Sequence, residues 1–177
     1  MMMGYVDEAL NRHKERMRPM VEDTYFSTLF EHWNIGVSGY DSGSVNHAWS
    51  GGGLTVLSEY LCGIAPLSPG YETISILPRP GKIHQAMANI SSIKGNISCS
   101  FVQSIHDLDM KIQTPSGIPT IVGVPDNRVY EIWVNGQLVW KKGKYIRNKK
   151  IKKYDDGSTG HIKFLVEGGC YIFESKR

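Results

Sequence analysis

The spacing of apolar residues changes once along this chain, near residue 65, and that change limits what it can fold into. Before it, apolar positions recur at helical spacing; after it, they alternate. Val6, Leu10 and Met17, with Ala9 and His13 between them, predict a first helix. Pro19 is expected to break that helix or open the next segment, because it lacks an amide proton and crowds the preceding turn. Leu54, Leu57, Tyr60 and Leu61 predict a second helix from about Ala48, with Cys62-Gly63-Ile64 as its stop. A loop rich in glycine and serine, Ile35 to Ser44, joins the two.

Pro66-Leu67-Ser68-Pro69-Gly70 is a turn-rich joint. Beyond it, Thr73–Leu77, Gly95–Val102, Leu108–Gln113, Pro119–Val124, His161–Val166 and Gly169–Glu174 are predicted strands. Tyr130–Val134 and Gln137–Trp140 flank Asn135-Gly136, a pair suited to the left-handed backbone of a two-residue hairpin turn. Turn-separated strands with no helix between them point to an antiparallel sandwich.

The expected fold class is therefore α+β in sequence order, with residues 1–65 helical and residues 66–177 a β-sandwich. The β part is long enough to close its own core. Two helices and a loop are not, so they must pack on the β part, on a partner, or on a larger helical domain.

Charge and cysteines narrow the function. A formal net charge of +3 does not by itself argue for nucleic acid. The run from Lys141 to Lys153, interleaved with Tyr145, Ile146 and Ile151, could suit a nucleic acid or an anionic polysaccharide. The simpler expectation is a solvated strand edge whose lysines discourage pairing with other edges. Cys62, Cys99 and Cys170 are odd in number and far apart. They read as buried thiols of a reduced compartment, not as a disulfide framework or a metal site. No stretch is apolar enough to span a bilayer, and Met1–Tyr5 lacks the features of a signal peptide. No cofactor is expected: Gly51-Gly52-Gly53 lacks the Gly-Lys-Ser/Thr ending of a phosphate loop and reads as a site of close packing. His13, His32 and His47 have no spacing that suits zinc.

Glu31 is the residue best placed for chemistry. It follows Phe26-Ser27-Thr28-Leu29-Phe30 and precedes His32-Trp33. A carboxylate among aromatics suits a sugar site, where rings pack on pyranose C–H faces and the surroundings tune the acid. A plain salt-bridged glutamate is the alternative. Asn46-His47 stands just before the second helix, where loop residues can face a cleft, although His47 could simply bond the helix's first amides. Trp33 and Trp49 fit core or interface positions as well as sugar platforms.

Thr28-Leu29-Phe30-Glu31-His32-Trp33, Ser44-Val45-Asn46-His47, Glu59-Tyr60-Leu61-Cys62-Gly63-Ile64, Pro69-Gly70-Tyr71, Ile74-Ser75-Ile76-Leu77-Pro78 and Ala86-Met87-Ala88 together resemble the C-terminal region of bacterial α-L-rhamnosidases of glycoside hydrolase family 78. The resemblance is good over roughly residues 17 to 103 and weaker beyond. It implies the end of an (α/α)₆ barrel followed by a C-terminal β-sandwich. It also implies hydrolysis of terminal α-L-rhamnose with inversion, in which one carboxylic acid protonates the leaving oxygen and a second carboxylate activates water. Glu31 matches the general base, and His47 matches a histidine that contacts the sugar; Trp33 beside the base is added as a sugar contact. The general acid belongs to a part of the barrel with no counterpart here, so this chain alone is expected to be inactive. The partners implied are a rhamnose-containing glycoside or polysaccharide and an upstream barrel domain, with no nucleic acid and no membrane. The resemblance leaves the compartment open. The rival reading is a non-catalytic, carbohydrate-binding or stabilising β-sandwich module.

Overall fold

The structure, a computed structural model, describes residues 4–35 and 43–177. Most of the Ile35–Ser44 loop lies outside the described residues. By its contacts the chain divides into two compact units, with the division between Leu57 and Ser58.

In the first unit, helix α1 spans Val6–Val21. Asp7 and Glu8 lie in its first turn and Arg18 in its last, the arrangement that the helix dipole favours. Contrary to the expectation from sequence, Pro19 does not break it. Proline costs a helix the bond to the carbonyl four residues back. Pro19 lies in the last turn, where it forfeits its own bond to the preceding turn without ending the helix, and Glu22 N–H still closes on Arg18 O at 2.9 Å. Among the described residues of this unit, Met20 and Phe30 have the buried side chains, and the Phe30 amide rests 3.4 Å from the Met20 sulfur.

The second helical segment starts at Ala48 and ends at Leu61, as expected, but changes pitch along its length. A 3₁₀ turn, Ala48–Gly51, leads into an α-turn, Gly52–Thr55, and then a π-helical turn, Val56–Leu61. Gly53 shows why small residues stand here: a Cβ on it would lie 2.4 Å from the His13 ring of α1.

The second unit is a sandwich of twelve strands. Five form one sheet: β1 (Ile64–Pro66), β2 (Ile74–Ile76), β6 (Thr120–Pro125), β11 (His161–Val166) and β10 (Lys152–Tyr154), adjacent in that order. Seven form the other: β3 (Gln85–Ser92), β4 (Gly95–Gln103), β5 (Asp107–Gln113), β12 (Cys170–Lys176), β7 (Glu131–Val134), β8 (Gln137–Lys141) and β9 (Lys144–Tyr145). All pairs are antiparallel except β2 with β6.

Alternation decides which side chains enter the core. In β5, Leu108, Met110 and Ile112 are buried while Asp109, Lys111 and Gln113 face out. Phe164 of β11 meets Phe173 of β12 across the sandwich, with ring centroids 6.1 Å apart. Asn135 and Gly136 turn with φ of +49° and +75°, the left-handed pair that an Asn-Gly hairpin needs. Cys62 and Cys99 are buried, but Cys170 is exposed, contrary to the expectation of three buried thiols. Its position in β12 points outward, opposite to buried Phe173 and Ser175.

Candidate functional site

The site is built from two short stretches of the first unit. Glu31 N–H donates to Ser44 O at 2.9 Å, and His47 N–H donates to Leu29 O at 2.9 Å. Thr28 Oγ1 bonds Val45 O, and Ser50 Oγ bonds Phe30 O. Residues 28–31 and 44–47 are thus clamped side by side, running in opposite directions. The clamp brings Glu31 and His47, sixteen positions apart, to one place.

The Glu31 carboxylate is held by the loop it faces. Oε2 accepts the Ser44 amide at 3.0 Å and the Ser44 hydroxyl at 3.4 Å. Oε1 lies 3.8 Å from His32 Nε2. The Ser44 amide bond is the main reason that Glu31 sits below the usual carboxylate range, opposed by partial burial and aided by His47 and His32. A quarter of the side chain remains exposed. Glu31 is therefore an ionised, oriented carboxylate that solvent can still reach.

His47 plays the bland role and leaves room for the other. It is the residue before the 3₁₀ turn, and its Nδ1 accepts the Trp49 amide at 3.4 Å. An accepting Nδ1 places the proton of the neutral ring on Nε2, which can then donate to a ligand. The Trp49 ring lies against His47 with centroids 4.4 Å apart, and Trp49 Nε1 donates to Glu31 O at 3.1 Å. Trp49, not Trp33, is therefore the aromatic that joins the two. Trp33 is half-exposed with the Arg16 guanidinium 4.7 Å over its ring. From sequence, Trp49 was as easily a core residue. Its place two positions after a histidine at a helix start was the available signal, since that spacing lets a capping ring meet its neighbour. Among the described residues, no three His, Cys, Asp or Glu side chains are grouped to hold a metal ion. Among the described residues, no helix is long and apolar enough to cross a membrane.

Comparison with known proteins gives the frame. Residues 63–138 match the family described as the bacterial alpha-L-rhamnosidase C-terminal domain. The chain is 27% identical over 158 residues to an alpha-L-rhamnosidase of Formosa agariphila. Over these stretches the chain is similar to the C-terminal portion of bacterial α-L-rhamnosidases. That alignment covers 85% of this chain and 16% of the Formosa rhamnosidase, so the chain spans about a sixth of its curated relative. Two solved rhamnosidase structures share the fold. The Streptomyces avermitilis enzyme, complexed with L-rhamnose, is 25% identical with a TM-score of 0.62, over 85% of this chain and 14% of that one. The Dictyoglumus thermophilum enzyme is 19% identical with a TM-score of 0.67, over 85% of this chain and 16% of that one.

Proposed function

We propose that this chain is the C-terminal part of an inverting α-L-rhamnosidase and that Glu31 is its general base. The observation that carries the reading is the ionised carboxylate, fixed by the Ser44 amide and open to solvent, with His47 and Trp49 beside it. A base must start unprotonated and be aimed; Glu31 meets both conditions. In the proposed reaction it takes a proton from the water that attacks the anomeric carbon. A carboxylic acid on the opposite side of the sugar, roughly 6.5–9.5 Å away, protonates the departing oxygen. His47 Nε2–H donates to a sugar hydroxyl, and the exposed Trp49 ring packs on the sugar's C–H face. The role of Trp33 as a sugar contact is retained as part of the same proposal.

We assign the general acid to a helical barrel domain outside this chain. Tyr25, Phe26, Val21 and Leu54 are exposed in the first unit, and such apolar surface suits packing against further helices. Residues 1–65 then form the end of that barrel and residues 66–177 the C-terminal sandwich. The test is hydrolysis of an aryl α-L-rhamnoside by the chain alone and after mixing with the upstream barrel, with the anomeric form of the released sugar followed by proton NMR. The reading expects no turnover alone and β-rhamnose as the first product of the assembly. Release of α-rhamnose first, or full activity from the chain alone, contradicts it.

A further inference from the structure

Between Ile132 and Tyr154 the chain holds seven lysines, one arginine and no acidic residue, although its whole net charge is only +3. The structure turns this run into a shaped surface. β9 is the edge of the seven-stranded sheet and β10 the edge of the five-stranded sheet, so residues 146–151 bridge the two on one side of the sandwich. That bridge is tied down. Tyr145 Oη donates to Ile151 O at 2.6 Å, and Asn148 Oδ1 accepts the amides of Lys150 and Ile151 at 2.9 and 3.2 Å. Asn148 Nδ2 donates to Gln137 Oε1 at 2.9 Å, and Ile151 is buried beneath. Over this frame opens a concavity lined by Tyr145, Arg147, Asn148, Lys149, Lys152 and Lys153. Of its cations, Lys153 is shared with Asp155, 3.5 Å away.

We infer that this basic concavity binds an anionic polysaccharide through carboxylate or sulfate groups on its sugars, and that it holds the polymer to which the rhamnose is attached. The inference rests on the glycosidase reading for the choice of polymer. Edge protection accounts for lysines on β9 and β10. It does not account for Arg147 and Lys149 on a braced loop around a hollow. Clustered cations in a concave surface focus the field on an anion, and the Arg147 guanidinium can pair with a carboxylate through two parallel bonds. A nucleic acid fits less well. Single strands are held largely by bases stacked on exposed aromatics, and the aromatic here, Tyr145, is half-buried with its hydroxyl engaged.

Affinity electrophoresis and calorimetry of the full chain test this with alginate, dextran sulfate, neutral dextran and a single-stranded DNA oligonucleotide. The expected result is binding to alginate or dextran sulfate that weakens as salt rises, with none to neutral dextran. R147Q/K149Q/K152Q should bind about tenfold more weakly, as loss of several cationic contacts implies, with an unchanged thermal melt. Removal of the same charge at Lys14, Lys94 and Lys176 should leave binding near the original level. Failure to bind either charged glycan, tighter binding of DNA than of both, or equal weakening in the two triple variants overturns the inference. No rhamnoside hydrolysis enters these readouts, so their failure leaves the assignment of Glu31 standing, and failure of that assignment leaves them readable.

Discussion

At the scale of single residues, the site depends on small groups that do not themselves react. Ser44 orients Glu31 with its backbone amide, which no change of its side chain removes, so Ser44→Ala should disturb Glu31 less than loss of a charged partner would. Trp49 is different, because both its ring and its indole N–H are in use. Trp49→Ala should remove the ring-current shift on the His47 Hε1 resonance in a carbon–proton correlation spectrum. An unchanged resonance would mean that the two rings do not meet. His161 gives a pH signature. Its Nε2 lies 2.8 Å from Pro78 O, and burial holds its pKa below the ordinary value near 6.5. The unfolded chain therefore binds the proton first as pH falls. Stability contributed by His161 is complete above about pH 6.5 and is lost as pH drops toward the folded value. Urea titrations at about pH 7.5 and about pH 5.5 should show a loss that His161→Gln reduces. An identical loss in both proteins would contradict this.

At the scale of elements, Gly63 is the residue on which the passage from helix to sandwich depends. It follows the π-helical turn with Cys62 between, and its φ is +76°. A Cβ there would fall 2.1 Å from the Leu77 carbonyl carbon, while Leu77 N–H donates to Gly63 O at 3.0 Å. Gly63→Ala combines a left-handed backbone with a backbone clash and should cost about 2–4 kcal/mol. A fall in the urea midpoint without a change in slope would register that cost, and a midpoint within error of the original would refute it. Elements were unevenly legible in the sequence. β5 and the β7–β8 hairpin were readable because alternation and Asn-Gly are local signals. β1, β9 and β10 were not, being two or three residues long and defined by their partners. β3 was missed as a strand because Ala86, Ala88 and Ser91 carry little of the β-branched or aromatic signal. The π-helical turn was hidden because the same apolar spacing fits any helix through so short a run.

At the scale of the whole molecule, the sequence showed a helical part followed by a sandwich, and the structure has both. Beyond the β7–β8 hairpin, it could not show which strands would be neighbours. The parallel pairing of β2 with β6 joins residues more than forty positions apart and follows from the closed core. The pairing of Glu31 with His47 was legible only as two motifs; the bonds at Leu29 and Ser44 that unite them leave no mark in composition. Lys163 shows the same limit. Its ammonium is buried on β11 against Asp156 and Ser158, in a stretch where the sequence showed only a turn. Hydrogen bonding to that ammonium holds Asp156 well below the usual carboxylate range. The proposed role of Glu31 joins these scales: one carboxylate, placed by two clamped segments, would serve a reaction completed by a larger assembly. Its most direct test is the kcat of this chain assembled with its upstream barrel on an aryl α-L-rhamnoside, with glutamate or glutamine at position 31. With Glu31 as the base, Glu31→Gln is expected to lower kcat by about 10²–10⁴-fold, the range for loss of a general base, with little change in KM. An assembly that hydrolyses the rhamnoside equally well with glutamine there would contradict it.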